Sequence, residues 1–96
     1  MTPSLKDLHD AALLSLHVNW AGAELRMDFE MWPPDKKARI VARGLTLLKC
    51  PRLLPWGPSI FVNGASIEQL ENGLLLVVEM QSGDVIEASA RDINLE

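Results

Sequence analysis

The sequence contains almost no cysteine, which excludes two common ways of holding a small protein together. Cys50 is the single cysteine among the 96 residues, so the chain can form neither an internal disulfide nor a multi-cysteine zinc site. A lone thiol is typical of proteins that work in a reducing compartment. The fold must therefore rest on its own hydrophobic core.

The sequence also lacks long hydrophobic runs. The longest, such as residues 74–78, fall far short of the roughly 20 residues that a membrane-spanning helix needs. Residues 1–10 carry acidic residues and a proline where a signal peptide would have basic residues and then an apolar stretch. We therefore expect a cytoplasmic protein without a membrane partner.

The apolar content is nevertheless sufficient for a folded domain. Apolar residues make up 48% of the chain, which excludes the low hydrophobicity of disordered segments. A length of 96 residues allows one core and is too short for two. We treat residues 1–96 as a single domain.

Basic residues are scarce overall but clustered. The net charge of −4, the absence of tyrosine and the lack of a reader motif argue against a nucleic-acid partner. Six of the nine basic residues lie between positions 36 and 52, with no acid among them. Opposite the acids of a neighbouring strand they would form an ordinary ladder of ion pairs, whereas in excess they would offer a surface to an acidic protein. The candidates for such a contact are Lys36, Lys37, Arg39 and Arg43.

Two segments near the N-terminus alternate apolar and polar residues, which is typical of half-buried β-strands. They cover residues 14–20 and 24–31, and a short segment containing glycine joins them as in a hairpin. Because both apolar sets must lie on the same face, Val18 is expected opposite Leu25 or Met27.

A second alternating pair covers residues 74–80 and 84–90. Between them, Gly83 suits the left-handed position of a three-residue hairpin loop. This register places Val78 opposite Ile86, so that both apolar faces agree.

The rest of the chain completes a predominantly β architecture. We expect a short helix ending near Asp10, a third strand over residues 38–48 with a bulge at Gly44, and a proline-rich loop over residues 52–58. Residues 66–72 fit either a short capped helix or a strand that ends in a hairpin turn, and we favour the hairpin. The prediction is a mainly β fold, an antiparallel meander or sandwich of five to seven short strands, with at most one or two short helices.

Few residues are candidates for chemistry. His9, Asp10 and His17 could orient a base or bind a ligand, but metal sites usually need three or four ligands and no spaced set such as HxxxH or CxxC is present. Cys50 precedes a proline outside any nucleophile motif, so we expect a buried or half-buried structural thiol. The sequence therefore predicts no catalytic residue, no metal and no cofactor.

The three tryptophans have two interpretations. Tryptophan is favoured at binding hot spots, but in a thin β-domain it more often fills the core. We therefore expect core positions for them in general. Trp56, in the proline-rich loop, is the best candidate for a contact with a partner.

An ordered set of short motifs gives a family resemblance. The set consists of Leu8-His9-Asp10-Ala11, Trp32-Pro33-Pro34, Pro55-Trp56-Gly57-Pro58-Ser59 and Glu79-Met80-Gln81-Ser82-Gly83-Asp84-Val85-Ile86. It resembles small bacterial β-rich proteins, including the immunity protein 50 type found beside polymorphic toxins. The resemblance implies binding, in which the protein would cover the active surface of a toxin, and implies no catalytic residues.

Three hypotheses about function follow. The favoured one is a cytoplasmic protein-binding module, of immunity type, that uses Trp56 and the surface of residues 36–43. The second is a small ligand-binding or enzymatic β-domain that uses His9, Asp10 and His17. The third is a structural subunit that forms a homodimer through free strand edges.

Overall fold

The computed structural model describes residues 4–31 and 36–96. Within these ranges the chain forms a 3-10 helix and eight strands in two antiparallel sheets, which confirms the mainly β class and exceeds the five to seven strands expected. None of the described helices is long and apolar enough to cross a membrane. The elements are the 3-10 helix Leu5–Leu8, β1 Ala12–Asn19, β2 Glu24–Glu30, β3 Lys37–Arg43, β4 Leu47–Lys49, β5 Val62–Leu70, β6 Gly73–Met80, β7 Val85–Ala90 and β8 Asp92–Leu95.

The first sheet has the order β1-β2-β3-β8. Val18 lies opposite Leu25, as the alternation predicted, and Leu16 lies opposite Met27. The register shifts once in β1, between Leu13 and Ser15. Because side chains alternate between the faces of a sheet, this register places the apolar row of β2 in the core.

The predicted third strand is in fact two strands in different sheets. Gly44 has a φ of +70° and turns the chain out of the first sheet after β3. Thr46 then donates its backbone N–H to Ser89 O in the second sheet, at 2.8 Å. A Cβ at Gly44 would lie 2.6 Å from Nε of Arg91, so the position accepts only glycine without strain. The expected bulge is therefore a corner between sheets.

The second sheet has the order β4-β7-β6-β5. Val78 lies opposite Ile86, and Gly83 has a φ of +94°, both as predicted. β5 and β6 form the hairpin that we favoured for the ambiguous segment, although Leu70 pairs with Gly73, so the turn lies one residue earlier than expected.

The core lies between the inner faces of the two sheets. The first sheet contributes Leu25, Met27 and Phe29, all fully buried. Each full burial of such a side chain is worth roughly 1.5–3 kcal/mol. Leu8 of the 3-10 helix is also fully buried, and the second sheet adds Val62, Leu76, Val78, Met80, Ile86 and Ala88.

Candidate functional site

Residues 52–61, here called the Trp56 loop, present apolar side chains to solvent. Leu53 and Trp56 are 82% and 81% exposed. Soluble proteins seldom gather so many large apolar side chains on one short stretch of surface. Three further apolar residues of the loop are 39–48% exposed: Leu54, Ile60 and Phe61.

Asp84, which precedes β7, holds this loop in place. Its side chain is almost completely buried, with 4% exposed. Oδ1 accepts a hydrogen bond from the backbone N–H of Leu53 at 2.9 Å, and Oδ2 accepts one from that of Leu54 at 3.2 Å. Ser82 Oγ donates to Oδ2 at 2.8 Å and lies 3.0 Å from Ser59 Oγ. One carboxylate therefore anchors the start of the loop to the β6–β7 turn.

The same contacts keep the carboxylate ionised. Burial by itself would raise the pKa of Asp84, but the hydrogen bonds from Leu53, Ser82, Leu54 and Ser59 outweigh burial and hold the pKa below its ordinary value. A hydrogen bond to a charged acceptor is stronger than one to a neutral acceptor. The loop is thus fixed by a buried negative charge.

Gly83 lets Trp56 lie against the β6–β7 turn. The backbone N–H of Trp56 donates to Ser82 O at 3.0 Å. A Cβ at Gly83 would lie 2.5 Å from Cε3 and Cζ3 of Trp56, so the indole occupies the space that any other residue would fill. Leu54 has a φ of +59°, a strained conformation for a branched side chain, which persists only where the surroundings enforce it.

Sequence reasoning missed the role of Asp84, although a signal was present. Asp84 belongs to the row of alternate residues that continues through Ile86, Ala88 and Ala90, all of them buried. Alternation therefore places a charged side chain on the inner face, where an acid needs hydrogen-bond donors. The identity of the donors, 30 and 31 residues away along the chain, is not visible in that row.

The basic strand β3 is paired with acids of β2. Arg39 Nε lies 2.7 Å from Asp28 Oδ1, and this hydrogen bond lowers the pKa of Asp28 despite partial burial, helped by the charge of Arg39, by Ser15 and by His17. Three of the four candidate residues thus form the ladder of ion pairs that was one of the two expectations for this segment. The fourth, Lys36, is exposed. Their use as a partner surface stays a prediction. The ion pairs between the strands are Lys37–Glu30, Arg39–Asp28 and Arg43–Glu24.

The two histidines occupy different surroundings. His9 Nδ1 lies 2.6 Å from Asn63 O, and His9 Nε2 lies 3.6 Å from Asp10 Oδ2. His17 faces Arg26 across the sheet and lines a shallow cavity of about 330 Å³ that His9 does not reach. No group of three or more potential metal ligands occurs among the described residues. The described structure does not bring the three residues His9, Asp10 and His17 into one site.

The remaining candidates lie on the surface. Trp20 is 90% exposed at the end of the β1–β2 hairpin, so the expectation of a core position is wrong for it, and Trp56, the candidate for a partner contact, is 81% exposed. Each lies in a turn or loop beyond the end of a strand, where no second sheet covers it. Trp32 falls outside the described residues. Cys50 is exposed, so the expectation of a buried or half-buried thiol is wrong.

The comparisons with known proteins establish the fold alone. No family model matches the sequence, and no curated protein matches it. The chain is similar to a crystal structure of an uncharacterized protein from Neisseria gonorrhoeae, with a TM-score of 0.71 and 17% sequence identity. The match covers 92% of this chain and 91% of the other, so the similarity of fold extends over most of both chains.

Proposed function

We propose that the protein is a protein-binding module whose contact surface is the Trp56 loop. The observation that carries the proposal is the combination of an apolar loop in solvent with a buried carboxylate that holds it there. Ordering a loop costs roughly 1–2 kcal/mol per residue in backbone entropy, and this loop recovers little of that by burying its own side chains. A partner that covers Trp56 and Leu53 would supply the missing apolar burial.

The chemistry of the loop indicates the kind of partner. Trp56 offers a large, rigid aromatic surface of the type that dominates binding energy at interfaces. Its fixed backbone reduces the entropy lost on binding, which favours affinity. A toxin whose active surface is covered by an immunity protein is one partner of this class. The basic residues Lys36, Lys37, Arg39 and Arg43 would then add steering at the rim rather than the main affinity.

The proposal is tested with the purified products of the neighbouring genes. Wild-type protein is immobilised, and the dissociation constant of each product is measured by biolayer interferometry, alongside Trp56→Ala and a control, Leu70→Ala. Leu70 is 39% exposed at the end of β5, at the opposite end of that strand from the loop. We expect Trp56→Ala to weaken binding by about 30-fold or more and Leu70→Ala to leave it unchanged. Absence of any specific binder, or equal binding by both variants, would contradict the proposal.

A further inference from the structure

β1 differs from the other three edge strands of the fold. The other edges carry features that discourage pairing with another chain: β4 has three residues, β8 has four and begins with Asp92, and β5 carries Glu68 and a register shift. β1 has eight residues, with the sequence ALLSLHVN, and contains no proline and no Lys, Arg, Asp or Glu. Natural sheets normally protect a long edge with charge, proline or shortness. β1 has neither charge, proline nor shortness, and its one register shift, between Leu13 and Ser15, lies at the start of the strand, next to the part that Ile60 and Phe61 cover.

Only the first part of the β1 edge is covered. Leu13 donates its backbone N–H to Ile60 O at 2.8 Å, and Ala12 forms an isolated bridge with Phe61. From Leu14 to Asn19, no strand of the described chain pairs with the outer side of β1. This stretch leaves backbone donors and acceptors available to a further strand.

Apolar side chains accompany the uncovered stretch. Leu14 is 54% exposed, Val18 is 45% exposed and Trp20 is 90% exposed. Beside them a groove of about 470 Å³ runs between the end of β1 and residues 45–48, with Leu47 44% exposed on its far side. Among the described residues, no charged side chain lines this groove. The edge and the groove together form one apolar, uncharged surface.

We propose that this surface joins two copies of the chain, with β1 paired antiparallel to β1 of the second copy. An antiparallel pair of identical strands has two-fold symmetry, so the assembly closes as a dimer. A register that places Leu16 opposite Val18 of the second copy keeps apolar side chains together on one face. Because the strand has no Lys, Arg, Asp or Glu, none of these charges meet across the pair, and this register places His17 opposite His17 of the second copy.

The exposed area suits this occupant. Leu14, Val18, Trp20 and Leu47 together expose on the order of 300 Å² of apolar side chain, taking about 200 Å² for a complete tryptophan and about 100 Å² for a complete leucine or valine. A standard interface buries about 800 Å² on each partner, about 65% of it apolar in homodimers. The four side chains therefore supply most of the required apolar area, and the paired backbone and the groove walls supply the rest.

The experiment is sedimentation equilibrium of the full chain from micromolar to hundreds of micromolar concentrations. We expect the mass to rise from 10.6 kDa to twice that value. Val18→Lys and Trp20→Glu should each weaken the dimer by about tenfold or more, while the control Leu70→Lys, on the β5 edge, should not. Circular dichroism melting checks that each variant is folded, and His17→Lys on the same edge replaces any variant that is not.

Hydrogen exchange provides a second measurement on the unmodified protein. The outward-pointing backbone amides of residues 14–19, those not bonded to β2, should exchange slowly in the dimer and faster on dilution, while those of the β5 edge should not depend on concentration. A wild-type mass that stays at 10.6 kDa at every concentration overturns the proposal. This holds even where a strand of another protein fills the groove. So does a dimer that Val18→Lys and Trp20→Glu leave intact. Trp56→Ala should leave the dimer unchanged, so this result is independent of the proposed partner binding.

Discussion

The outer face of the first sheet and the Trp56 loop are opposite kinds of surface. The sheet face is crowded with charges, yet Lys37, Arg39 and Arg43 are matched by carboxylates one strand away, and Arg26 is matched by Glu24 on its own strand. The loop exposes apolar side chains, and the carboxylate that anchors it, Asp84, is buried beneath it. The charges of the sheet face are paired with one another, whereas the apolar side chains of the loop are left in contact with water.

The difference shows that charge clustering in a sequence is a poor guide to a binding surface. Exposed ion pairs contribute little to stability and are already compensated, so they offer a partner little to gain. A carboxylate beneath a loop contributes through geometry, because it determines which side chains face solvent. The contrast can be tested by altering three residues in turn: Asp84, Gly83 and Asp28.

The largest effect is expected from Asp84→Asn. The amide replaces one acceptor oxygen with an N–H donor, so Leu54 N–H and Ser82 Oγ lose the acceptor Oδ2 inside the protein. We expect Tm to fall by roughly 10 °C and the amide protection of Leu53 and Leu54 to disappear. The matched change Asp28→Asn, on the sheet face, should lower Tm much less. Equal losses for the two variants would remove the distinction between the surfaces.

The same carboxylate predicts a dependence on pH. Because the pKa of Asp84 is lower in the folded protein than in the unfolded chain, its contribution is fully present above the ordinary carboxyl range. It is lost as the pH falls below about 4 and through the folded pKa. Melting temperatures of the wild type should therefore converge on those of Asp84→Asn in acid. A difference that is constant with pH would show that Asp84 does not act as an ion.

A smaller effect is expected from Gly83→Ala. The positive φ costs roughly 1 kcal/mol for a residue with a Cβ, and the new methyl group would meet the indole of Trp56. We expect a Tm about 5 °C lower and a change in Trp56 fluorescence as the ring loses its contact with the β6–β7 turn. Gly64→Ala is the matched control, because a Cβ there meets nothing within 4 Å. An unchanged emission spectrum in Gly83→Ala would show that the turn does not position Trp56.

The sequence made the two hairpins predictable because alternation has a period of two. Pairing Val18 with any even-numbered neighbour in β2 would have sent one apolar row into water, so few registers were available. The pairing of Val78 with Ile86 followed from the same rule and from the length of the loop at Gly83. Both hairpins depend on residues that are close together in the sequence, so the local pattern is sufficient to predict them.

The corner at Gly44 and the anchor at Asp84 depend on contacts between distant residues. A glycine with positive φ serves equally in a bulge and in a corner, so the pattern of residues 38–48 could not separate one strand from two. The exposure of Trp20 was likewise unpredictable, since composition favours a buried indole and only the position of the second sheet decides otherwise. Contacts made by folding, not local preference, determined these features.

The smallest effect is expected on the charged face of the first sheet. The pKa of Asp28 is lowered mainly by its hydrogen bond from Arg39, so the pair contributes above the ordinary carboxyl range and is lost as the pH falls through the folded pKa. The Asp28 side chain is 29% exposed, and with solvent screening we expect Asp28→Asn to cost no more than about 0.5 kcal/mol. High salt should reduce even this loss, because it screens exposed charges. Urea unfolding at low and high salt measures both quantities, and a large loss that salt does not change would show that this face, like the Trp56 loop, depends on a buried ion.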